Sequence, residues 1–130
     1  MKEFLVKSCI AVGAILAPIK MVMITVGVLI VADLVTGIWA AHKRGEKINS
    51  AAMRRTISKI FVYQLSVITG FLLETYILGN SVPISKIVAG VIGMVEFKSV
   101  LENSDTIIGE NIYSMILKKL GSDNDKIKKE

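Results

Sequence analysis

The sequence predicts an all-α integral membrane protein. It reads as three transmembrane helices, four if the N-terminal segment also crosses, followed by a cytoplasmic amphipathic C-terminal helix. Three observations predict this class. Apolar residues make up 52% of the 130 residues and the mean hydropathy is +0.59, whereas a small soluble domain must give most of its large surface to polar groups. The apolar residues come in blocks, with the charges crowded into the gaps. The net charge of +5 is also local. Residues 42–59 carry Lys43, Arg44, Lys47, Arg54, Arg55 and Lys59 against Glu46 alone, while the chain beyond is close to balanced.

The clearest span is residues 21–41, about 31 Å long as a helix against a hydrocarbon core of about 30 Å. Trp39 stands near its end, where an amphipathic ring prefers the interface, and Asp33 is its one internal charge. Residues 60–79 form the second span, with Tyr63 and Tyr76 near its ends, Gln64 and Glu74 as polar residues, and Gly79-Asn80 as its stop. A third span covers 82–101. Pro83 suits its first turn, and Lys86 and Lys98 lie near enough to the ends to snorkel.

Residues 1–20 admit several readings. The apolar stretch 8–19 is only 12 residues long and ends at Pro18 and Lys20, so it can re-enter, lie in the interface or cross. Lys2 and Lys7 ahead of an apolar core also resemble a signal peptide, but no A-x-A site follows, so retention is expected. From Glu102 the pattern changes. Ile108, Ile112, Met115, Ile116 and Leu120 recur at helical spacing and predict an amphipathic helix over 103–120, closed by Lys118, Lys119 and Gly121. The polar end, 122–130, is expected to be unstructured. The chain thus divides into an N-terminal segment 1–20, a membrane region 21–101 and a tail 102–130.

Orientation follows from the basic loop, 42–59, which belongs in the cytoplasm. The 80–81 turn is then outside and the C-terminus cytoplasmic. Within the loop, a helix capped by Asn49 or Ser50 would lie on the cytoplasmic surface, setting Arg54 and Arg55 among anionic headgroups. The same charge could suit nucleic acid, but topology explains it more simply.

Each span sets a carboxylate beside a file of small residues. Asp33, Gly37 and Ala41 share one face, with Ala32, Thr36 and Ala40 alongside; Ser66, Gly70 and Glu74 share another; Ser85, Ala89, Gly93 and then Glu96 share a third. Small files let helix backbones approach closely, and three of them predict self-association. A charge at mid-helix costs about 2.5–3.5 kcal/mol to insert, so Asp33 should face a partner or water. The plainer alternative is pairing with Lys or Arg within one bundle. Glu74 and Glu96 lie closer to span ends, where solvation is cheap, and for them the plainer reading is expected. No catalysis, metal or cofactor is expected: Cys9 and His42 are each single, and no phosphate-binding glycine motif occurs.

Residues 33–37 (Asp-Leu-Val-Thr-Gly), Ala40-Ala41, the basic stretch, Ile48-Asn49-Ser50, then Arg54, Arg55 and Lys59 together resemble the toxin-secretion/phage-lysis holin family. So does Glu96-Phe97-Lys98-Ser99-Val100-Leu101-Glu102-Asn103 ahead of Gly109, which is similar to that family's E-x-x-S-x-x-E-N stretch. The resemblance covers most of residues 21–120. It implies a phage- or prophage-encoded protein that accumulates in the bacterial cytoplasmic membrane, oligomerises and permeabilises it. An endolysin or large toxin then passes, without obligatory direct contact. It places Asp33, Gly37, Lys59, Glu96, Glu102 and Asn103 at recurrent positions. Two other classes fit the residues: a virion or tail channel component for genome delivery, and a non-permeabilising adaptor that docks a partner on its C-terminal helix.

Overall fold

The computed structural model describes residues 1–48 and 50–127, with side chains described through residue 121. Among the described residues there is no strand. Helix α1 covers Lys2–Leu16 and passes through a 3-10 turn, Ala17–Ile19, into α2, Lys20–Lys43. Helix α3 covers Ser50–Leu72 and runs on through a π-helical turn, Leu73–Ile77. Helix α4 covers Ile84–Ile108 and α5 covers Ile112–Ile127.

Pro18 does not separate the N-terminal segment from the first span. It falls within the 3-10 turn, where proline's fixed φ and missing N–H are tolerated, and helical backbone continues through it. Lys2–Lys43 thus forms 42 residues of helical chain. That is about 63 Å, twice the hydrocarbon thickness, so α1 and α2 cannot both lie within it along one axis. Every residue of α1 is exposed or half-buried.

The helix expected to start within the basic region does so: α3 starts at Ser50, Arg54, Arg55 and Lys59 ride on its first turns, and 44–48 are described outside the helices. The proposed Asn49 cap lies outside the described residues. Helix α4 extends seven residues past Leu101, taking Asn103 and Ile108 from the expected amphipathic helix. It ends at Gly109, whose φ of 82° gives the left-handed C-cap that glycine adopts without strain. Gly121 does not stop α5, which continues to Ile127, so 122–127 are helical; 128–130 lie outside the described residues.

Helices α2, α3 and α4 pack as a bundle. Its core is Ile19, Val26 and Ile30 on the α2 side, Val67 and Phe71 from α3, and Ile92 from α4. The turn from α3 to α4 uses positive φ at Gly79 (57°) and Asn80 (60°), which lets the Asn80 N–H donate to the Glu74 carbonyl at 2.8 Å.

The bundle is apolar on its outer faces as well as in its core. Its outer faces carry exposed Val28, Val31 and Val35 on α2, Phe61, Val62 and Leu65 on α3, and Val91, Met94 and Val95 on α4. Inside lie the buried polar residues Ser85 and Glu96. Soluble monomers rarely expose apolar faces of this extent, whereas hydrocarbon solvates them at no cost. Two helical segments, Lys2–Lys43 and Ser50–Ile77, are long and apolar enough to cross a membrane. Helix α4 carries Lys86, Glu96 and Lys98 across the expected third span.

Candidate functional site

One turn separates successive inward positions on a helix, so Asp33 and Gly37 of α2 point the same way, as do Lys59 and Tyr63 of α3, and Glu96 and Asn103 of α4. Packing the three helices brings these residues together. Lys59 Nζ donates to Asp33 Oδ2 at 3.0 Å and to Glu96 Oε2 at 3.0 Å. Asn103 Nδ2 donates to Asp33 Oδ1 at 3.1 Å and to Thr36 Oγ1 at 3.2 Å. A Cβ on Gly37 would sit 3.5 Å from Asn103 Nδ2, so the glycine leaves that amide in van der Waals contact with the α2 backbone.

Glu96 pairs with Lys59 inside the bundle, in line with the plainer reading, but it is fully buried, where its place near a span end suggested cheap solvation. Register along α4 explains the difference. Ser85, Ile92 and Glu96 are its buried residues, a spacing of seven and four that directs Glu96 into the helix interface. The side chains of Asp33 and Lys59 keep 20% and 28% of their exposure, so the cluster is not fully enclosed. One ammonium faces two carboxylates, and Glu96 Oε1 is buried without a hydrogen-bond partner. Removing one partner from such a buried ionic group costs about 3–5 kcal/mol, because it strands the others.

A second polar contact ties α3 to α4 at the opposite end. Glu74 accepts from the backbone N–H of Ser85 at 2.9 Å and from its hydroxyl at 2.7 Å, satisfying the first turn of α4. Gly70 permits the approach: a Cβ there would lie 3.3 Å from Ile84 Cγ2 and 3.5 Å from Ser85 Cα. Gln64 Nε2 donates to the Met23 carbonyl at 2.8 Å, joining α3 to α2. Ala89 and Gly93 border a shallow apolar groove between α2 and α4.

The basic residues divide among several tasks. Lys43 donates to the Ile107 carbonyl, a favourable place for a cation at the C-terminal end of α4. Arg44 pairs with Glu46 at 2.7 Å, and that hydrogen bond holds the Glu46 carboxyl below its ordinary range. Arg44, Lys47 and Arg55 line a groove of about 430 Å³ with Lys59, Asp33 and Asn103 at its polar floor. Arg54 lies outside it. Glu102 does not join the cluster; it is exposed and pairs with Lys98 at 3.4 Å.

Sequence reasoning missed Asp105, whose Oδ1 accepts from the Ile112 N–H at 2.7 Å and the Tyr113 N–H at 3.4 Å and so caps α5. The signal was present as Asp-x-x-x-Gly ending α4, with α5 starting three residues after the glycine. It also missed that Tyr63 lies beside Glu96 and Lys59. Among the described residues no three His, Cys, Asp or Glu side chains converge as a metal site would require.

An apolar exterior around buried charges defines a small helical membrane protein. The chain belongs to the bacteriophage holin family, whose model matches residues 10–122. No curated protein matches it. No solved structure matches it either.

Proposed function

We propose that the chain accumulates in the bacterial cytoplasmic membrane as a multi-pass protein, self-associates and permeabilises it, so that an endolysin or a toxin can pass. Membership of the holin family supports this reading. The observation that carries it is the bundle's arrangement, with apolar side chains covering its outside and Asp33, Lys59 and Glu96 paired within. A unit of this kind inserts with its charges paired, one net negative charge remaining on the cluster, and meets other copies through apolar faces. In this reading the groove beside Ala89, Gly90 and Gly93 receives a neighbouring copy. Lesions open when enough copies assemble for the Asp33 faces to line water instead of pairing internally.

The proposed topology has three crossings, α2, α3 and α4, with the basic segment and the C-terminus in the cytoplasm. Helix α4 qualifies because its central charge, Glu96, is held against Lys59 away from lipid, while Lys86 lies in its first turn and the exposed Lys98 pairs with Glu102. The test is lysis timing. At equal membrane level, Asp33→Ala and Gly37→Leu should shift the abrupt fall in culture turbidity. Unchanged timing in both would count against the assignment.

A further inference from the structure

We propose that the groove between the C-terminal end of α2 and the first turns of α3 binds the phosphate headgroup of an anionic phospholipid. Four cations, Arg44, Lys47, Arg55 and Lys59, line it against two carboxylates, Asp33 and Glu46. Their commitments differ. Lys59 is held by Asp33 and Glu96, and Arg44 by Glu46. Among the described residues, neither Lys47 nor Arg55 forms a salt bridge. The mouth therefore offers two uncommitted cations and a guanidinium with donors to spare, while Asp33 already accepts from Lys59 and Asn103, and Glu46 from Arg44. A phosphate diester suits that distribution, since charge-assisted hydrogen bonds from Lys and Arg to phosphate are strong and directional.

The walls select a lipid over a free anion. Leu34, Ile38, Ile48 and Ala52 line the same groove, so a ligand seated by its phosphate meets apolar surface directly beneath. Val35 on α2 and Ile57 on α3, next in sequence to the lining residues Leu34 and Thr56, are also exposed and apolar. Trp39, exposed on α2 one turn before Lys43, fits the headgroup level. A volume of about 430 Å³ accommodates a phosphoglycerol group with the start of its chains. The proposal rests on membrane insertion and not on lesion formation, so a chain that binds lipid but leaves cells intact would defeat only the holin activity.

Arg54 and Arg55 provide the test, because they carry the same charge and only Arg55 lines the groove. The full chain, purified in a non-ionic detergent, would be titrated with dioctanoyl phosphatidylglycerol and followed by native mass spectrometry. The expected result is saturable binding of one lipid per chain. It should weaken about tenfold in Arg55→Gln and in Lys47→Gln, by the loss of one charged hydrogen bond. Arg54→Gln should change it less than about twofold, as for an exposed, uninvolved charge. Equal losses in Arg54→Gln and Arg55→Gln would overturn the site in favour of diffuse attraction. Equal binding of dioctanoyl phosphatidylcholine would also overturn it. So would displacement by inorganic phosphate at matched concentration, which would make the site one for a free anion.

Discussion

Lys59 Nζ stands 3.0 Å from Glu96 Oε2, and the carboxylate it touches is fully buried. The same ammonium reaches Asp33, so a single atom ties α3 to both α2 and α4. Replacing it should cost more than replacing either acid. Lys59→Met is expected to destabilise the bundle by about 3–5 kcal/mol, through two stranded carboxylates. A thermal melt in detergent should show the loss, and adding Asp33→Asn and Glu96→Gln should restore most of it.

Asn103 and Gly37 should behave as a coupled pair. Asn103→Ala removes the hydrogen bonds to Asp33 and Thr36, at an expected cost of about 1–3 kcal/mol. Gly37→Leu places a side chain where the Asn103 amide sits. The double variant should therefore be less destabilised than the two single costs added, which a double-mutant cycle measures directly.

Gly70 offers a graded test of the α3–α4 contact. A Cβ there meets Ile84 Cγ2 at 3.3 Å, so Gly70→Ala requires only a small movement of that methyl group. Gly70→Leu has no such outlet, because the Ser85 backbone lies just behind. The alanine variant should melt within a few degrees of the parent, while the leucine variant should lose packing around Phe71 and Val67. Cross-linking yield between cysteines placed on α3 and α4 would separate the two outcomes.

Glu74 should act as a cap for α4. Glu74→Ala leaves the Ser85 N–H and hydroxyl without their acceptor, at an expected cost of about 1 kcal/mol, typical for a lost helix cap. Glu74→Gln keeps an acceptor oxygen and should lose less. Hydrogen exchange at the Ser85 amide should quicken in the alanine variant and far less in the glutamine variant.

Much of this arrangement was legible in the chain. The all-helical class followed from the block pattern, and the first two apolar stretches correspond to the two segments long enough to cross a membrane. Asp33 was marked as needing a partner because charge is costly among apolar residues, and pairing with Lys or Arg was the plainer of the two readings offered. The partner itself was not legible. Lys59 lies 26 residues from Asp33 and Glu96 lies 37 from Lys59, and only helix register and packing bring them together. Pairing within the bundle was also the reading preferred for Glu96, but its full burial was not legible, because its side chain's facing direction and not its distance from a span end decides burial. Gly109 was the overlooked stop: placing Ile108 in the amphipathic helix ignored the break one residue later.

The measurement that tests the central claim most directly is entry of a membrane-impermeant DNA dye into bacteria expressing the chain from a tightly controlled promoter, beside Asp33→Ala at matched membrane level. The account predicts abrupt dye entry after a lag, with that moment shifted or lost in the variant. Cells that stay dye-free while holding abundant membrane-inserted protein would contradict it.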